Sequence, residues 1–124
     1  MNAARGNKDF DNGGSTVAEC SGCPSDADSS IRAPAVRGDV ARMIFYMAVR
    51  YDGGDGFADL EPNDQVNNGS APGIGKLSVL KAWSAGDPPD AFEKAPQPGH
   101  LRQLAAQPKP PFIDHPEWVN SIWP

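Results

Sequence analysis

The sequence predicts a mainly α-helical domain with long loops, and three observations carry that expectation. Apolar residues recur at helical spacing over residues 39–51, and again over 76–85. Thirteen glycines and thirteen prolines break up much of the remainder. The 124 residues suffice for one small domain and not two. With 39% apolar residues a core is within reach, but a core of this size amid so much loop is marginal alone.

Residues 1–36 read as irregular, because Asp-Asn-Gly-Gly at 11–14 and the Ser/Asp/Pro-rich run at 24–34 are loop chemistry. The strongest element follows. Val40, Met43, Ile44, Met47, Ala48 and Tyr51 fall on one helix face, predicted to be buried, with Arg42, Tyr46, Val49 and Arg50 off it. Asp39 suits its N-cap, and Gly53-Gly54 stops it. Residues 52–75 form a polar loop too long to be a mere connection. The second helix, 76–85, should bury Leu77, Leu80 and Trp83. Asp87-Pro88-Pro89-Asp90 then begins a short helix, capped by Asp87 and anchored by Phe92. Five prolines from Ala95 to Pro111, the last included, end the periodic pattern. Asp114-His115-Pro116-Glu117 opens a terminal helix, with Asp114 as cap and Glu117 reaching back; Trp118, Ile122 and Trp123 supply its apolar face. No internal repeat is present.

A formal charge of −5 argues against a protein that holds nucleic acid by bulk electrostatics. It does not exclude an enzyme that meets phosphate through a local metal ion and a few arginines. The two cysteines, Cys20 and Cys23, cannot complete a tetrahedral zinc site alone, and His100 and His115 show no ligand spacing to them. They are candidates for a small disulfide, with free thiols the other reading. The apolar run from Met43 to Val49 is too short to span a bilayer, so no membrane partner is expected. The N-terminus is polar, without a signal-peptide pattern.

Several look-alikes fail on spacing. Gly73-Ile-Gly-Lys-Leu-Ser78 resembles a phosphate loop, but Ser70 replaces the first glycine and Leu77 the metal-binding hydroxyl; it reads as a helix start. Asp52, Asp55, Asp59 and Asp64 miss the calcium-loop register and read as a solvated acidic loop. Arg37-Gly38-Asp39 is a helix start rather than an adhesion signal. Adjacent Asp114 and His115 point apart, which favours a cap over a catalytic dyad. From these residues alone, no nucleophile–base pair and no metal cluster emerges.

Four stretches, in order, carry a resemblance: Asn2-Ala-Ala-Arg-Gly-Asn7, the run from Arg37 to Tyr51, Gly75-Lys-Leu-Ser-Val-Leu-Lys-Ala-Trp83 with Asp87-Pro-Pro, and Pro111-Phe-Ile-Asp-His-Pro-Glu-Trp118. Together they span nearly the whole chain and resemble the endonuclease I family of bacterial extracellular or periplasmic nucleases. The resemblance implies the C-terminal helical part of an α+β, ββα-metal nuclease, with the β-hairpin that bears the catalytic histidine absent. In such an enzyme a strand histidine deprotonates water, which attacks a phosphodiester. A divalent cation, Mg²⁺ or another, rests on a neighbouring glutamate and a helix asparagine. That asparagine's Asn-x-x-Arg-x-Asn stretch falls on Asn2, Arg5 and Asn7, which makes Asn2 the candidate metal ligand. Arg5 is the candidate nucleic-acid contact, with a packing role as its other reading. Under the resemblance no residue of this chain is assigned as catalytic.

Two departures shape the expectation. The family's Glu-His pair belongs a few dozen residues before the asparagine, and here Met1 directly precedes Asn2. Met1 is therefore expected to be an artefactual or internal start. Residues 95–110 also replace the family's arginine- and asparagine-rich run. One permitted coding of those residues, read one base later, restores Arg-Arg-Asn at its beginning and Asn-Arg-Asn-Pro at its end. A local frameshift is expected, and the nucleotide sequence decides it; an ordinary proline-rich linker is the rival.

The expected organisation is a single partial domain over 1–124: a remnant of the metal-site helix and loop at 1–36, a helical core at 37–94, a proline-rich stretch at 95–111 and a terminal helix at 112–124. The intact enzyme is expected to be monomeric and to cleave DNA, with RNA as a further substrate. The chain alone is expected to be inactive. The competing class is a non-catalytic helical fragment that binds or scaffolds a partner.

Overall fold

A computed structural model describes residues 9–10, 15–17, 20–25, 29–30, 34–54, 56–65, 71–95 and 111–124. Their architecture is mainly helical, as the periodicity predicts. The stretch read as irregular differs, since it contributes short strands β1 (Asp9–Phe10), β2 (Ser15–Val17), β3 (Cys20–Ser25) and β4 (Ser29–Ser30). They form one sheet in the order β1-β4-β3-β2. β1 runs parallel to β4, and β3 is antiparallel to both β4 and β2. The β2–β3 register slips between Thr16, opposite Pro24, and Val17, opposite Cys20. Such a bulge tolerates a proline, whose missing N–H would break a regular central ladder. Loop-type composition hid these strands because pairing between segments, rather than local propensity, holds them.

A 3-10 turn (Pro34–Val36) leads into α1 (Arg37–Arg50). The remaining helices are α2 (Leu77–Gly86), α3 (Ala91–Lys94), α4 (Pro111–Asp114) and α5 (Trp118–Ile122). No helix among the described residues is long and apolar enough to cross a membrane.

The core lies between α1 and α2 and is closed by α4 and α5. Ala41, Phe45, Val79, Leu80, Trp83, Phe112 and Val119 are buried, with Val40, Ile44, Leu77 and Trp123 packed at its margin. Phe45 touches two aromatic rings, Phe112 with centroids 5.8 Å apart and Trp123 at 4.9 Å. Lys81 Nζ ties the last turn down by donating to the Trp123 carbonyl at 2.6 Å.

The buried face of α1 is rotated from the predicted one, keeping Ala48 buried and Val40 and Ile44 at the core margin. It consists of Gly38, Ala41, Arg42, Phe45 and Ala48, while Met43 and Met47 are exposed. Arg42 breaks the hydropathy of the buried stripe, so the adjacent, unbroken stripe gives the stronger pattern. The caps shift as well. α1 begins two residues before Asp39, with Val36 at its N-cap and no side-chain cap bond. Asp90, rather than Asp87, caps α3, accepting from the amides of Phe92 and Glu93; Asp87 instead accepts from the Gly38 amide at 2.9 Å. Phe92 does not anchor its helix and is 82% exposed. At the end of the chain Asp114 closes α4 instead of capping α5, and Glu117 occupies the N-cap of α5 without a side-chain cap bond. Val119 is the buried residue of α5, and Trp118 and Ile122 are exposed. His115 donates its amide to the Pro111 carbonyl at 2.7 Å, which completes α4 and moves the next helix start past Asp114.

The described parts of the 52–75 loop, 52–54, 56–65 and 71–75, brace the start of α2. Glu61 bridges Gly73 in parallel fashion, and the amides of Asn63 and Leu77 donate to the carbonyls of Gly75 and Asn63. Gly75, at φ 130°, makes the turn into α2 in a conformation closed to most side chains. Lys76 at the N-cap of α2 offers no side-chain acceptor. Asp64 replaces it from the loop, accepting from Ser78 N at 2.8 Å and Ser78 Oγ at 2.6 Å. These two bonds, the hydroxyl's first, hold the Asp64 carboxyl below its ordinary 3.8. Asp64→Ala is expected to cost about 1 kcal/mol at neutral pH, the usual loss for a missing cap. The folded pKa lies below the unfolded one, so the contribution is complete above 3.8 and disappears as pH falls through the lower folded value. Thermal melts of parent and variant should therefore differ at neutral pH and converge in strong acid; a constant gap would refute this role.

Candidate functional site

The residues that the sequence nominates fall largely outside the described part. Asn2 and Arg5 lie outside the described residues, as do 96–110, where the frameshift is expected. Cys20 and Cys23 are both on β3, at the stretch where its register slips, and their side chains are outside the description. The described residues do hold a buried polar framework.

That framework centres on Arg42, 1% exposed although it is a cation. Helical spacing aims its side chain off α1 toward the turn that precedes α3. There Nη1 donates to the Asp87 carbonyl at 2.7 Å, and Nε donates to Glu93 Oε1 at 3.0 Å. Nη2 reaches both Glu93 Oε2 and Asp39 Oδ1, the latter at 2.9 Å. The Glu93 contact is a two-pronged fork, the arrangement a planar guanidinium makes best. A buried cation is tolerable here because its donors meet two carboxylates and a carbonyl. Asp39 stands at the rim. Partial burial raises its carboxyl above the ordinary value, the negative charge of Glu93 adds to that, and Arg42 opposes it. Gly38 completes the junction, since a Cβ there would lie 1.9 Å from the Asp87 carbonyl oxygen.

Sequence reading missed this cluster. Its signal was a glycine and an arginine four residues apart inside a confident helix, both breaking its pattern. The partners lie 45 to 51 residues further on, beyond any local window. What the cluster does is mechanical: it locks α1 to the Asp87 turn and α3.

A second polar group sits on the surface near α5. His115 Nδ1 lies 3.1 Å from Glu117 Oε1, and its ring stacks on Trp118 at 4.4 Å with 9° between planes. Glu117's own amide, and then the His115 contact, lower its carboxyl below the ordinary value. The pair is exposed, which suits a surface clasp better than a proton shuttle that needs a dry site. Among the described residues no three His, Cys, Asp or Glu side chains converge to hold a metal ion.

The family model described as Endonuclease I matches residues 1–117. The chain belongs to the endonuclease I family. Two extracellular ribonucleases resemble it. That of Bacillus amyloliquefaciens is 54% identical over 99% of this chain and 42% of its own length. That of Bacillus subtilis (strain 168) is 52% identical over 100% of this chain and 43% of its own length. The chain thus spans less than half the length of these curated relatives. No solved structure matches it. Within the endonuclease I family match lie α1, α2, the Arg42 lock and Asn2 with Arg5.

Proposed function

We propose that this endonuclease I chain is part of a secreted nuclease that hydrolyses phosphodiester bonds of RNA, with DNA as a second substrate. The observation that supports it best is the 54% identity, over almost the whole chain, to a protein named extracellular ribonuclease. An extracellular setting would favour an oxidised Cys20–Cys23 pair over free thiols.

The metal is part of the same proposal. A divalent ion such as Mg²⁺ would stabilise charge building on the phosphate. The described side chains do not make such a site by themselves. Asn2 would offer one neutral carbonyl oxygen, whereas Mg²⁺ prefers carboxylates and its own waters. The Glu-His pair implied by the resemblance is matched by no residue here. No catalytic step is therefore assigned to these 124 residues, whose role is to hold one ligand and brace the fold behind it.

The test is to substitute this chain for the matched stretch of the Bacillus amyloliquefaciens relative. The chimera should degrade labelled RNA and nick supercoiled plasmid, and a chelator should stop both. Asn2→Ala in that chimera should lower turnover about 100-fold with folding intact, as expected for a lost metal ligand. The isolated chain should cleave neither substrate. A folded chimera without nuclease activity would sink the proposal, and chelator-sensitive cleavage by the isolated chain would overturn the expected inactivity.

A further inference from the structure

Between α2 and the start of α5 the surface opens into a groove of about 210 Å³. Lys81, Ser84 and Pro88 line it from α2 and the turn that follows, and Pro116, Val119 and Asn120 line it from α5 and the turn before. Lys81 and Ser84 reach the same groove because residues three apart share one helix face. The lining is mixed. Two prolines and a valine are apolar, while a hydroxyl, an amide and an ammonium supply polar groups.

Ser84 carries the argument. It is 7% exposed, yet its hydroxyl makes no hydrogen bond among the described residues. Buried polar groups almost always have a partner, so an unpaired hydroxyl on the wall of a groove points to an occupant of that groove. Lys81 has capacity to spare. Its ammonium carries three donors, and one of them serves the Trp123 carbonyl at 2.6 Å. Asn120 is exposed, and its amide is likewise unpaired among the described residues.

These groups favour one kind of occupant. The volume falls below the roughly 300–1,000 Å³ of pockets for drug-sized molecules, which suits a single ring system. Proline rings suit the faces of a planar ring. A ring edge that mixes donors and acceptors suits a hydroxyl and an amide, each of which does both. An ammonium only donates, so the edge must also carry an acceptor, best a keto oxygen. An anion fits less well, because Lys81 is the one cation among these lining residues and a chain of charge −5 draws phosphate weakly.

We propose that this groove binds one unstacked nucleobase bearing a keto oxygen, held by Ser84 Oγ, the Asn120 amide and Lys81 Nζ, as a subsite for single-stranded RNA. It rests on the reading of this chain as part of a nuclease that acts on RNA. Single-stranded RNA offers splayed bases with free edges, which a duplex does not. The strand is then gripped through a base rather than through its backbone, in keeping with the charge of the chain.

Amide NMR of the isotope-labelled chain tests this, with uridine, adenosine, inorganic phosphate and a short oligouridylate as probes. Uridine and oligouridylate should shift the amide signals of Ser84, Ala85, Val119 and Asn120, adenosine should shift them less, and inorganic phosphate not at all. Ser84→Ala should weaken oligouridylate binding about five-fold, the order of one lost hydrogen bond. It should also leave the melting temperature of the free chain unchanged or raised, because no bond within the chain is lost and alanine is the better helix former. In the chimera with the Bacillus amyloliquefaciens relative, with chelator present to prevent cleavage, Ala85→Phe should fill the groove and lower the affinity for labelled oligouridylate. Signals unmoved by uridine overturn the proposal, as does inorganic phosphate shifting them as far as uridine. A Ser84→Ala chain that melts lower overturns it too, since the hydroxyl then serves the fold, and so does a chimera indifferent to Ala85→Phe. Uridine binding alongside a chimera without nuclease activity would support the groove and sink only the functional proposal.

Discussion

Arg42→Ala should abolish the cooperative thermal transition of the chain. The guanidinium serves the Asp87 carbonyl, both Glu93 oxygens and Asp39 at once. Truncation leaves those acceptors facing a cavity without a donor. Removing one partner of a buried ion pair typically costs about 3–5 kcal/mol, a large part of the roughly 5–15 kcal/mol that holds a domain together. Arg42→Lys should rescue little, since a single ammonium cannot reproduce the planar fork. Combining Arg42→Met with Glu93→Gln should recover part of the loss, because both charges leave together. Circular dichroism melts of the four proteins check this. A lysine variant as stable as the parent would show that charge alone, rather than the fork, holds the junction.

Gly38→Ala is the second large effect, and its sign runs against helix propensity. Alanine in place of a glycine inside a helix gains up to about 1 kcal/mol, and Gly38 stands in the first turn of α1. Here the added methyl would lie 1.9 Å from a backbone carbonyl oxygen and 2.8 Å from Arg42 Nη1. The carbonyl belongs to the chain rather than to a flexible side chain, so α1 and the Asp87 turn must separate. That separation strains the Gly38–Asp87 hydrogen bond and the Arg42 donation to the same turn. A net loss of about 2–3 kcal/mol is expected, measured as a drop in the urea midpoint without a change in slope. A neutral or stabilised variant would refute the close approach.

How much of this was legible from the sequence varied with the range of the interactions. α2 was readable almost to the residue, because Leu80 and Trp83 share one face and Gly75 marks its start. α1 was readable as a helix but not in its orientation. Periodicity finds a stripe but not its bearing: the packed side keeps Val40, Ile44 and Ala48 of the predicted stripe and turns toward Ala41, Arg42 and Phe45. Asp87 and Asp90 both adjoin the Pro-Pro pair, and no local rule tells which caps the helix. The choice is made by Gly38, some fifty residues earlier, which takes Asp87. The capping box expected at Asp114 fails for a related reason, since α4 extends through that residue. Asn2 and Arg5 were legible through resemblance only, as a single amide and a single guanidinium near a terminus have no signature of their own.

The spacing of the Arg42 contacts also bears on how the protein is made. Glu93 and Asp87 follow Arg42 by 51 and 45 residues, so the arginine leaves the ribosome before those two acceptors do. At about 5–20 residues per second that interval lasts several seconds. During it α1 presents Phe45 on one side and Met43 with Met47 on the other, and its cation has no carboxylate fork to enter. Nascent α1 is then the segment most exposed to wrong association, and slowing translation between residues 42 and 93 should lower the yield of soluble chain more than slowing it after residue 111.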